Sequence, residues 1–96
     1  MPTFPFKLEI YAVDGARRSA VQRIEVHEAG VYTLGRNYDQ SIRLDDPRVS
    51  RAHLELHIEQ DEIVVRDLGS ANGTFIGDKK VKNSRWDLAK VLKIAA

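Results

Sequence analysis

The sequence predicts an all-β fold, an antiparallel sandwich or barrel of short strands. Two features predict it: apolar residues recur with period two from end to end, and turn residues separate the alternating runs at short, regular intervals. A third limits its size, because 96 residues support one hydrophobic core and leave no room for a second domain or a wide interdomain cleft. Phe6, Leu8, Ile10 and Ala12 share one parity against Lys7, Glu9 and Tyr11, as in a half-buried strand. Gln22 to His27 repeats the pattern with Ile24 and Val26 inside, and Val31 to Leu34 is a shorter piece. Leu54, Leu56 and Ile58 alternate with His53, Glu55, His57 and Glu59, and Ile63-Val64-Val65 is a denser β-branched run suited to a strand covered on both faces. Thr74 to Ile76 and Val91 to Ile94 complete the set. Asp14-Gly15, Ala29-Gly30, Asp46-Pro47, Gln60-Asp61, Asn72-Gly73 and Gly77-Asp78 supply the turns. Only Ser84 to Val91 could hold a helix, of about two turns.

Composition narrows the functional classes. Fifteen Lys and Arg against fourteen Asp and Glu give a net charge of +1, so no whole-molecule field draws nucleic acid or an anionic membrane, and any anion preference must be local. There is no cysteine, which excludes a disulfide framework and Cys-based zinc sites and fits a cytoplasmic location. The N-terminal Met-Pro-Thr-Phe-Pro-Phe-Lys lacks the basic and apolar regions of a leader, and no run approaches a membrane span. Export and membrane insertion are therefore not expected, and the chain reads as a module excised from the N-terminus of a larger protein.

The longest stretch without alternation, Gly35 to Ala52, carries Arg36, Arg43, Arg48 and Arg51 with Asn37, Gln40, Ser41 and Ser50. Polar segments of this length in compact sandwiches are more often functional than idle. The competing reading is a solvated loop whose arginines pair with Asp39, Asp45 and Asp46. Three clusters stand at strand ends: Gly35-Arg36, Ser50-Arg51-Ala52-His53 and Gly69-Ser70-Ala71-Asn72-Gly73-Thr74. If their loops meet at one apex, they present two guanidinium groups, two hydroxyls and a carboxamide, which suits a phosphate on an extended peptide. A phosphomonoester carries nearly two negative charges and three acceptor oxygens. Arg bonds two of these with a planar fork that stays charged, and a Ser hydroxyl or loop amide reaches the third. An Asn offers donor and acceptor to the main chain of an extended ligand.

These three clusters, the third extended to Asp67-Leu68-Gly69-Ser70-Ala71-Asn72-Gly73-Thr74, resemble in order and spacing the forkhead-associated (FHA) family of phosphothreonine-peptide-binding domains. The resemblance covers essentially the whole chain. It implies an antiparallel β-sandwich of about eleven short strands, FHA/SMAD-like, with binding loops at one apex, and one domain over residues 1–96 with its core at about 4–94. It implies that Arg36 and Ser50 are phosphate ligands and that Arg51 contacts phosphate or the ligand downstream of it. Asn72 would hold the peptide backbone, while Gly35, His53 and Gly73 support the loops, His53 as a buttress. Ala71 stands where many members have Ser or Thr, so its contribution to the phosphopeptide site is limited to backbone and weaker or altered binding is expected. Ser41-Ile42 replaces the acidic or Asn-Asp pair often seen before the Ile.

The implied function is a phosphothreonine-dependent protein interaction module in Ser/Thr kinase signalling, whose partner is a phosphothreonine protein or peptide, among them a kinase or its substrate. No catalytic residue, cofactor or metal is expected, nor a nucleic-acid or membrane partner. The alternative is a scaffold domain of the same fold that binds protein without phosphate. Other readings of the same residues are simpler. Asn72-Gly73 is a hairpin signal by itself, and Asn72-Gly73-Thr74 matches a glycosylation sequon that is incidental without a leader. Ser50, His53 and Asp67 hold the residue types of a hydrolytic triad but lack a nucleophile elbow or oxyanion hole, and Asp67 reads as a loop cap. His53, Glu55 and His57 could ligate a metal yet fit the polar face of a strand. Six basic residues from Lys79 to Lys93 lack interleaved aromatics and read as solvated surface, and Trp86 reads as packing.

Overall fold

The computed structural model describes residues 3–15 and 17–95. The chain runs β1 (Phe6–Asp14), β2 (Arg17–Val26), β3 (Gly30–Gly35), β4 (Ile42–Arg43), β5 (Leu54–Ile58), β6 (Ile63–Asp67), β7 (Thr74–Ile76), β8 (Lys79–Val81), β9 (Asn83–Arg85) and β10 (Leu92–Ala95). They form two five-stranded sheets, ordered β2-β1-β10-β7-β8 and β4-β3-β5-β6-β9. Ten strands are present among the described residues, where about eleven were expected. The sheets are mixed, because β1 pairs in parallel with β10 and β3 with β4. The short-range turn signals specify hairpins only, and a parallel pair leaves no such mark.

Period two sets the packing. Ile10, Ala12, Leu92 and Ile94 from one sheet, and Leu34, Leu54, Leu56 and Val65 from the other, are fully buried in one core. Each such Leu or Ile contributes about 1.5–3 kcal/mol by leaving water. The alternation fails at the end of β1, where Tyr11 and Val13 are buried as well. The register shifts between Ala12 and Val13, and the Arg18 guanidinium lies 3.9 Å from the centre of the Tyr11 ring. An aromatic expected on the polar face is thus roofed by a cation.

The segment expected to hold a helix does not. Asn83–Arg85 pairs with β6, the Trp86 amide donates to the Ile63 carbonyl at 2.8 Å, and its indole N–H donates to the Lys90 carbonyl at 2.9 Å. The Asp87 carboxylate accepts from the Ala89 amide at 3.0 Å, a side-chain turn that competes with helix. Trp86 itself is buried in the core, as expected. Among the described residues, no helix is long and apolar enough to cross a membrane.

Register places the loops. Leu34 sits opposite Leu54 and Leu54 opposite Asp67, so the end of β3, the start of β5 and the end of β6 lie in one row. Parallel pairing of Gly35 with Arg43 sends the end of β4 the same way. The Thr74 hydroxyl at the start of β7 donates to Asp67 Oδ1 at 2.7 Å and joins the first sheet to that row. The closing strand is testable: Ile94→Ala should cost about 2–5 kcal/mol in urea denaturation, whereas Val91→Ala, at a side chain 39% exposed, should stay within about 0.5 kcal/mol.

Candidate functional site

Two residues build the frame of the apex. Asp67 caps the β6–β7 loop: Oδ2 accepts from the amides of Gly69 and Ser70, each at 3.0 Å, and Oδ1 from the hydroxyls of Ser70 and Thr74 at 2.6 and 2.7 Å. Burial alone would raise its carboxyl, but these donors offset it and hold the group below its ordinary value. His53 is fully buried. The Ser50 amide donates to its Nδ1 at 3.0 Å, which leaves the proton on Nε2 and directs it to the Gly73 carbonyl at 3.1 Å. Burial pushes the imidazole down, against the opposing pull of that bond and of the Asp67 charge, so the ring is neutral. With both nitrogens occupied by main chain, the ring offers no lone pair to the Ser50 hydroxyl, and the hydrolytic arrangement does not assemble. The metal-binding arrangement fails for the same reason at His53, while His57 pairs with Glu55 at 3.0 Å.

Gly35 is required by space. A Cβ there would overlap the Arg51 carbonyl oxygen and lie 2.8 Å from its carbon. That close approach lets Arg36 N–H donate to Ser50 O at 3.0 Å and Asn37 N–H to Arg51 O at 3.2 Å, which stitches the β3–β4 loop to the β4–β5 loop. Gly73 adopts φ +95°, which favours glycine; its amide donates to Ser70 Oγ at 3.0 Å. The third loop is joined by two bonds. Ala71 N–H donates to Ser50 Oγ at 3.1 Å, and Asn72 Nδ2 donates to Arg48 O at 2.8 Å. The structure therefore brings Arg36, Ser50, Arg51, Ala71 and Asn72 together on three bonded loops, with Gly35, His53 and Gly73 beneath them.

The four arginines of the long polar segment divide into two pairs. Arg48 is structural: it contacts Asp14 at 2.6 Å and Asp46 at 3.2 Å. Asp46 is buried, and burial would raise its carboxyl, but the Arg48 amide, the Ser19 hydroxyl and the Arg48 guanidinium hold it below its ordinary value. Arg43 is also engaged, with Nη2 at 3.5 Å from Asp45 and Nε donating to Arg36 O at 3.0 Å. Arg36 donates from Nε to Val49 O at 3.1 Å; it and Arg51 are exposed and pair with no carboxylate among the described residues. The Ser50 oxygen accepts the Ala71 amide and keeps its own proton to donate. The segment is also less polar than it reads, since Ile42, Leu44 and Val49 anchor it in the core.

Two side chains near the apex are not among the expected site residues; Lys80 reads in the sequence, with its basic neighbours, as solvated surface. Lys80 on β8 lies over Gly73, its Cε 2.8 Å and Nζ 3.4 Å from where a Cβ would stand, and adds a cation that no motif marks. Tyr38 at the tip of the β3–β4 loop is 88% exposed, and an aromatic in a polar run carries no periodic signal.

The fold and apex define a β-sandwich module whose joined loops present unpaired cations and a hydroxyl donor. The family model described as the FHA domain matches residues 32–92, and the chain belongs to the FHA domain family. It is 39% identical over 57 residues to the glycogen accumulation regulator GarA of Mycobacterium tuberculosis, covering 59% of this chain and 35% of that one. It is 48% identical over 44 residues to the oxoglutarate dehydrogenase inhibitor of Corynebacterium glutamicum, covering 46% and 31%. The chain thus spans about a third of the length of these relatives. A crystal structure of the FhaA FHA domain complexed with the intracellular domain of Rv3910 superposes with a TM-score of 0.68 at 30% identity, over 74% of this chain and 77% of that one. A structure from a study of phosphothreonine-dependent FHA domain interactions has the same TM-score and identity, over 74% and 73%.

Two outcomes test the frame. Gly35→Ala should destabilise the domain by about 1–3 kcal/mol in urea denaturation, as an overpacked site does. Acid should act in two windows. The unfolded chain takes up a proton at His53 as pH falls below the ordinary value of 6.5, and the native state does not, so stability falls there first. The contributions of Asp46 and Asp67 are present above 3.8 and are lost as pH falls further, through their lower native values. With His27 and His57 replaced by Gln, His53 is the remaining histidine of three; a urea midpoint unchanged between pH 7.5 and 5.5 in that variant would refute the first window.

Proposed function

We propose that this FHA domain is a non-catalytic reader of phosphothreonine in an extended segment of a partner protein, acting within Ser/Thr kinase signalling in the cytoplasm. The observation that carries this reading is the division of the arginines: Arg36 and Arg51 are left without carboxylates beside a Ser50 hydroxyl whose oxygen is already held by the Ala71 amide. Arg36 takes two phosphate oxygens with its remaining nitrogens, and Ser50 donates to the third. Arg51 contacts the phosphate or the peptide beyond it. Asn72 spends one Nδ2 hydrogen on Arg48 O and keeps its Oδ1 and second hydrogen for the peptide main chain. Ala71 lacks the hydroxyl common at this position, and its amide orients Ser50. The residues act as one domain over 1–96.

The similarity to domains described as phosphothreonine-dependent and to regulators of metabolism supports the reading. Fluorescence anisotropy at pH 7.5 with a phosphothreonine peptide library and its unphosphorylated twin is the test. Each charge-assisted bond contributes about 1.5–3 kcal/mol, so Arg36→Ala, which removes at least one such bond, should weaken phosphopeptide binding by about tenfold or more. Added salt should weaken it as well. Equal binding of both libraries, insensitive to Arg36→Ala, would instead support a phosphate-independent scaffold.

A further inference from the structure

Tyr38 is the most exposed large hydrophobic residue among those described, at 88%, with Val31 next at 56%. Its position is nonetheless fixed. Asn37 O accepts from Gln40 N at 3.3 Å, so Tyr38 and Asp39 form the centre of a tight turn. That turn is pinned on one side by Asn37 N–H to Arg51 O. On the other, Ser41 N–H donates to Thr33 Oγ1 at 3.0 Å and Thr33 N–H to Ser41 Oγ at 3.2 Å. The ring rests on Arg43, whose guanidinium carbon lies 4.1 Å from the ring centre and which is itself held by Arg36 O and Asp45. One face of an aromatic ring is therefore covered by a fixed cation, and the other is open to solvent. Held aromatics of this kind bind at low conformational cost and are enriched at interface hot spots.

The geometry points to a specificity subsite for phosphopeptide recognition: the open face of Tyr38 receives an apolar or aromatic side chain of the peptide, one to three residues from the phosphothreonine. The inference rests on the phosphothreonine reading above. Reach follows from chain geometry, since Tyr38 lies two positions beyond Arg36 and their Cα atoms are at most about 7 Å apart, the distance an extended ligand covers in two residues. The chemistry follows from the cation beneath. Arg43 already draws on the ring quadrupole from its own side, so a second cation on the opposite face would gain less and be repelled by the first. An acidic side chain would meet the electron-rich face, with Asp39 next in the chain. An apolar group suffers neither penalty and gains contact area.

The test uses phosphothreonine peptides flanked by Ala, with Leu, Phe, Lys or Glu placed singly at each position within three residues on either side. Leu or Phe at one position should tighten binding about three- to tenfold over Ala. In Tyr38→Ala that ratio should fall to near one, and Tyr38→Phe should restore it. A gain that persists in Tyr38→Ala, the absence of a gain at any position, or a preference for Lys or Glu in place of Leu would overturn the subsite. If the Ala-flanked phosphopeptide fails to bind, or binds no better than its unphosphorylated twin, the phosphothreonine reading itself falls, and the subsite falls with it.

Discussion

The buried imidazole of His53 holds the apex together. Its Nδ1 accepts the Ser50 amide and its Nε2 donates to the Gly73 carbonyl, so one side chain from the start of β5 fixes main chain in both flanking loops. The arrangement requires a neutral ring, since protonated Nδ1 could not accept. Full burial enforces that state, because a charged imidazole inside the core would lose its hydration without compensation. Asp67 complements it from the neighbouring strand by satisfying the donors of the β6–β7 loop. The exposed residues above inherit their positions from this pair.

The charge balance follows the same logic. A net charge of +1 conceals a partition in which Arg43 and Arg48 are neutralised by Asp45, Asp46 and Asp14, while Arg36 and Arg51 are not. The pairing reading of the long polar segment therefore holds for Arg43 and Arg48 and not for Arg36 and Arg51. The paired arginines rigidify the loop; the unpaired ones face solvent from that rigid base. Local potential, which governs recognition of a single phosphate, is decoupled from total charge.

Legibility varied with the range of the interaction that specifies each feature. Strands whose alternation faces one core, such as Leu54–Ile58, were legible because side-chain parity maps onto burial, but His53, expected on the polar face just before that strand, is fully buried. The two-residue β4 and the short β8 and β9 were missed, since two or three residues cannot display a period. The expected helix at Ser84–Val91 gave way to β9 and an Asp87 turn because pairing with β6 and the Trp86 indole bond outweigh a weak local preference. Among site residues, Gly35, His53 and Asn72 were legible as types at spacings. The Lys80 cation over Gly73 and the Arg43 support under Tyr38 were not, since both depend on contacts between segments with no shared motif.

By itself the sequence determined that this chain is all-β, that its motifs are those of an FHA domain, and which residues could face a phosphate. Periodicity and motif spacing are local properties, and one chain displays them in full. Only the tertiary structure decided that β1 and β10 run parallel, that Asn72 spends one donor on Arg48, and that, of the four arginines between Gly35 and Ala52, Arg36 and Arg51 pair with no carboxylate among the described residues. A guanidinium is free or engaged according to which carboxylates folding brings within about 4 Å, and Asp14, 34 positions from Arg48, becomes its partner only when the β1–β2 turn meets the apical loop.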